Sequence, residues 1–75
     1  MVTRKEVLEF VENNLMNLTE ERKNFSETDS LDKIELVIEC EREYNLEIDE
    51  NDVLPDFDTE MFVDFLMKKI KENES

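Results

Sequence analysis

A 75-residue chain with no glycine is barred from most of the ways in which a small protein turns its backbone sharply. Glycine visits positive φ without steric cost, and two-residue hairpins rely on Asn-Gly or Asp-Gly pairs. Neither pair occurs here. A glycine-rich phosphate loop or dinucleotide fingerprint is excluded for the same reason. Alanine, glutamine and tryptophan are missing too, and Pro55 is the only proline. Where a helix must close in the left-handed conformation an asparagine has to serve, and Asn13, Asn14, Asn17, Asn24, Asn45 and Asn51 are available. These absences favour helices joined by open loops.

Apolar spacing points the same way. Val7, Phe10, Val11, Leu15 and Leu18 recur at helical intervals, which predicts a helix from Arg4 to Leu15 or Met16. Thr3 caps it, and Glu6 three residues on makes a capping box. Residues 19–29 are polar and read as a loop pinned by Phe25. Asp29 and Ser30, both good N-cap residues, open a second helix. Its core face carries Leu36, Val37, Cys40 and Tyr44, and a second apolar stripe of Leu31, Ile34 and Ile38 is offset from it. One buried side does not use up both stripes, so the second is the first sign of a docking surface. Leu46 and Ile48 point inward, Asp49 caps a single turn carrying Val53 and Leu54, and Pro55 ends it. Asp58 or Thr59 then caps a last helix with Phe62, Val63, Phe65, Leu66 and Ile70 inside and Lys68, Lys69 and Lys71 near its end, where cations complement the helix dipole. The expected fold is all-α: one domain over residues 1–75, a small bundle of three main helices plus one short helix.

Size and charge narrow the function. A chain this short builds a single core, and no uninterrupted apolar stretch exceeds three residues, as at Leu36-Val37-Ile38, so no membrane insertion is expected. Nothing after Met1 reads as a secretory signal, which suggests a cytoplasmic location. One cysteine forms no internal disulfide, and the lack of histidine makes zinc or His-based catalysis a poor fit. The formal charge of −13 repels nucleic acid and anionic lipid, so charged partners should be basic. That charge is uneven. Residues 29–52 hold ten acids against two bases, Lys33 and Arg42, a net of −8. The acids flank the surplus apolar stripe and start beside Ser30. An acidic run is usually a solvated face, but this combination suits recognition of a basic surface.

Several local matches carry no chemistry. Ser30-Leu31-Asp32-Lys33 fits the Ser-x-x-Lys pattern of acyl-transfer enzymes, which also need a large cleft and further motifs. Asp49-x-Asn51 and Asp56-x-Asp58 lack the glycine and terminal Glu of a calcium loop. Cys40, on the core face, reads as a buried small residue and not as a reactive thiol.

The run Asp29-Ser30-Leu31-Asp32-Lys33-Ile34-Glu35-Leu36-Val37-Ile38-Glu39-Cys40-Glu41-Arg42-Glu43-Tyr44, followed by Leu46-Glu47-Ile48, resembles an acyl carrier protein. That family carries Asp-Ser-Leu at the start of its second helix, then an acidic helix ending in an aromatic, then a Glu-Ile pair. The resemblance covers about residues 25–54, and the helix order fits the whole chain. It implies a carrier, not an enzyme. Ser30 matches the serine to which a separate, magnesium-dependent phosphopantetheinyl transferase attaches 4′-phosphopantetheine from coenzyme A. An exposed hydroxyl at a helix N-terminus suits that role, because the oriented N–H groups behind it favour a phosphodiester anion. The arm's thiol then holds an acyl intermediate as a thioester.

Partner recognition in the family uses the second helix. The matching positions are Asp29, Asp32, Glu35 and Glu41, with Leu31 and Ile38 as apolar contacts. The implied partners are acyl-transferring and chain-elongating enzymes with basic docking patches, from fatty acid, polyketide or related biosynthesis, met by a monomer. A cargo cavity lined by Leu36, Val37, Ile48 and Phe62 is expected. The family's usual Leu-Gly before the serine is replaced by Phe25-Ser26-Glu27-Thr28, the first loop is shorter than usual, and Arg42 takes an often acidic position. These departures suggest a specialised stand-alone carrier. An aminoacyl or peptidyl carrier and an unmodified carrier-like adaptor stay open as alternatives.

Overall fold

The computed structural model describes residues 2–21, 24–54 and 56–74. Three α-helices form the body of the chain: α1 (Arg4–Thr19), α2 (Ser30–Tyr44) and α3 (Thr59–Glu74). Single 3₁₀ turns lie at Phe25–Glu27 and Glu50–Asp52, and no strand occurs among the described residues. The expected all-helical bundle is what the chain forms.

Each helix starts where a short polar side chain satisfies its first orphan donors. Thr3 Oγ1 accepts the Glu6 N–H at 3.2 Å. Asp29 Oδ1 accepts the Asp32 N–H at 3.0 Å. Asp58 Oδ1 accepts the Met61 N–H at 2.7 Å, which makes Asp58, not Thr59, the cap of α3. The ends are less conventional. Asn45 closes α2 in the left-handed conformation (φ 53°, ψ 53°), as expected of an asparagine in a glycine-free chain. At the end of α1 that conformation falls instead to Glu20 (φ 60°, ψ 12°), whose N–H reaches the Met16 carbonyl at 2.8 Å.

Helix α1 also runs past the expected stop at Leu15 or Met16. Its asparagines do not break it. Asn14 Nδ2 donates to the Phe10 carbonyl at 2.8 Å, so the amide lies along the helix. The Thr19 hydroxyl, 2.8 Å from the Leu15 carbonyl oxygen, also accepts the Glu21 N–H and secures the last turn. The fourth element is shifted as well. Asp49 does cap a single turn, accepting the Asn51 N–H at 2.9 Å, but that turn ends at Asp52. The backbone bond from the Asp52 N–H to the Asp49 carbonyl at 2.9 Å closes the turn, and Val53 and Leu54 follow it. Pro55 lies outside the described residues.

Burial follows the helical stripes. Val7, Val11 and Leu15 from α1 meet Leu36, Val37 and Cys40 from α2 and Phe62, Val63, Leu66 and Ile70 from α3. Tyr44 is half-buried against Phe10, edge to face at 5.5 Å. Phe25 is fully buried, and its ring stacks on Phe62 at 4.3 Å with the planes 6° apart. Burying such a side chain contributes roughly 1.5–3 kcal/mol, and an aromatic pair adds about 0.5–1.5 kcal/mol. The loop before α2 is therefore anchored through Phe25, as the sequence suggests. On the surface Arg4 of α1 pairs with Glu60 and Asp64 of α3. The two carboxylates raise the Arg4 pKa further, but exposed pairs of this kind contribute little stability.

Candidate functional site: the exposed start of helix α2

Ser30 is the first residue of α2 and is exposed to solvent. Asp29, not Ser30, caps the helix, so the Ser30 hydroxyl is not used for capping. The backbone N–H groups of the first turn point past it, as at any helix start. A phosphodiester on this oxygen would meet the positive end of the helix dipole, and nothing buried must move to admit it. The residues present fit a phosphopantetheine arm.

Downstream, the surplus stripe stays uncovered. Leu31 is 74% exposed, Ile34 40% and Ile38 41%. Around it Asp29 and Glu35 are exposed and Asp32 is half-buried. Asp29, Ser30, Leu31, Ile34, Glu35 and Ile38 are thus all exposed along α2 and its cap, with Asp32 half-buried among them. Glu41 stands apart in its duties. Its Oε2 accepts the Ile48 N–H at 3.2 Å, tying the segment after α2 back to the helix.

Two bases punctuate this surface. Lys33 Nζ sits 5.4 Å over the Phe25 ring centroid, within cation–π range, on the side of the first turn that leans on the preceding loop. Arg42 Nη1 lies 3.4 Å from Glu39 Oε1 one turn earlier.

The four residues expected to line a cargo cavity are divided between the core and an open groove. Leu36 and Phe62 have no exposure and belong to the closed core. Val37 and Ile48 instead border an open groove of about 430 Å³ with Ile34, Ile38, Glu41 and Asp49.

Cys40 has no exposure, and burial first, then Glu39 and Glu41, pushes its thiol pKa up to about 12. A thiol so protonated is neither nucleophile nor metal ligand at neutral pH. Tyr44 is likewise pushed up to about 12, by burial first and then by Cys40, Glu43 and Glu6. Among the described residues no group of three or more His, Cys, Asp or Glu side chains is placed to hold a metal ion. No helix among them is long and apolar enough to cross a membrane.

One feature of the site had no signal in the sequence. Asn24 and Thr59, which lie 35 positions apart, are bonded to each other beside the segment that leads into α2. Asn24 Oδ1 accepts the Thr59 N–H at 3.1 Å, and Thr59 Oγ1 accepts the Phe25 N–H at 3.0 Å.

Comparison of the chain with protein-family models, with curated proteins and with solved structures finds no match.

Proposed function

We propose that this protein is a carrier that holds acyl intermediates as thioesters on a 4′-phosphopantetheine arm attached to Ser30. The observation that carries the reading is the exposed, non-capping Ser30 hydroxyl at the start of α2, directly beside an uncovered apolar stripe edged with carboxylates. The resemblance of residues 25–54 to acyl carrier proteins supports it. Attachment replaces one bond. The Ser30 oxygen attacks the coenzyme A phosphate that carries pantetheine, the serine proton is lost, and adenosine 3′,5′-bisphosphate leaves.

The chain's own contribution is positioning. Asp29 fixes the first turn of α2, the helix dipole favours the new phosphodiester, and the buried core supplies no competing nucleophile. Leu31, Ile34 and Ile38 give a partner a small apolar contact, while Asp29, Asp32 and Glu35 select a basic rim. Charges at such a rim act mainly on encounter rate and orientation, so binding is brief and weakens with salt. Brief binding suits a shuttle that visits a transferase and then successive acyl-transferring and chain-elongating enzymes.

Incubation with coenzyme A, magnesium and a broad-specificity phosphopantetheinyl transferase tests this directly. Intact-mass analysis should show one arm added to the wild-type chain and none added to Ser30→Ala. No addition with several such transferases would overturn the proposal.

A further inference from the structure

The segment that delivers the chain to Ser30 is tied to the start of α3 by a closed pair of hydrogen bonds. Asn24 Oδ1 accepts the N–H of Thr59 at 3.1 Å, and Thr59 Oγ1 accepts the N–H of Phe25 at 3.0 Å. The same Asn24 oxygen accepts the Ser26 N–H at 3.2 Å and lies 3.2 Å from the Ser26 hydroxyl, which gathers the 3₁₀ turn around it. From Phe25 the path continues without a gap. The Thr28 hydroxyl donates to the Phe25 carbonyl at 2.7 Å, and Asp29 then caps α2. Lys33, one turn into α2, rests over the Phe25 ring, whose own position is set by the stack on Phe62.

Phe25 and Phe62 are both fully buried, whereas Asn24 is exposed and Thr59 only half-buried. The bond from the Thr59 N–H is exposed and the bond from the Phe25 N–H is part-buried, so the pair sits at the edge of the core and contributes to stability mainly by satisfying that Phe25 donor. What it does constrain is the direction in which residues 24–29 enter α2, and hence where the Ser30 oxygen stands. Reaction rates depend steeply on such placement.

We infer that the Asn24–Thr59 pair is a positioning device for Ser30, setting the rate of its modification more than the stability of the fold. The inference rests on the carrier reading above. Thr59→Val removes the acceptor for Phe25 while keeping the side-chain shape, and Thr59→Ser keeps the acceptor.

Two measurements are made on wild type and both variants: amide exchange over residues 25–32, and steady-state arm transfer to Ser30. In Thr59→Val, exchange in this segment should quicken, and kcat should fall roughly three- to tenfold with KM for the protein nearly unchanged. Thr59→Ser should restore both towards wild type. Unchanged exchange, unchanged kcat, or equal loss in Val and Ser variants overturns the inference while leaving the carrier reading intact. A wild-type chain that accepts no arm overturns the carrier reading, and this inference with it.

Discussion

Two of the described residues adopt positive φ, and they are not equally suited to it. Asn45 tolerates the left-handed conformation because its short amide can bond locally. Glu20 has no such compensation, and its carboxylate also stands at the negative end of the α1 dipole. Both costs are avoidable. Replacing Glu20 by glycine should stabilise the protein by about 1 kcal/mol, read as a raised midpoint in urea titration. An unchanged or lowered midpoint would show that Glu20 makes a compensating contact. The same scale explains why Glu20 was not legible beforehand. Asparagine is the expected glycine substitute, and three asparagines precede Glu20 in α1, but Asn14 bonds along the helix and the Thr19 hydroxyl secures its last turn. A local competition among hydrogen bonds decided the end of the helix.

At the scale of elements, periodicity found what periodicity can encode. The buried faces of α1, α2 and α3 are the stripes read from the spacing of Val7, Leu36, Phe62 and their neighbours, and the second stripe on α2 stays exposed as expected. Contacts between distant polar residues carry no such signature. Nothing in Asn24 or Thr59 taken alone marks the pair, and the 3₁₀ turn at Phe25–Glu27 is too short to show a period. The groove beside α2 eluded the sequence for a related reason: Leu36 and Phe62 are apolar enough for either core or cavity, and only packing assigns them to the core.

Helix α2 also has a testable alkaline limit. In the unfolded chain Cys40 and Tyr44 lose their protons near their ordinary values of 9.0 and 10.0, while in the folded protein both hold on to about 12. Between those limits the unfolded state binds fewer protons, so stability is fully present below pH 9 and declines as pH rises towards 12. Melting temperatures measured across that range should fall, and a Cys40→Ala/Tyr44→Phe double variant should show a flatter profile. An equally steep profile in the double variant would place the alkaline sensitivity elsewhere.

For the molecule as a whole the dominant physical fact is a charge of −13 on 75 residues, with eight of the net charges on residues 29–52. Carboxylates this dense repel one another in the folded state, and mobile ions screen them. Raising salt from a few millimolar to physiological strength should therefore raise the melting temperature, and millimolar magnesium or calcium should do so at lower ionic strength. A melting curve indifferent to both would mean that the repulsion is already relieved within the fold. The buried Cys40 has a further consequence for the whole protein. Its sulfur is sealed in the core, so the folded chain is its own blank in thiol chemistry. If the arm proposed for Ser30 is attached, a sulfhydryl-selective dye applied without denaturant would count its thiol alone, with no engineered removal of the native cysteine.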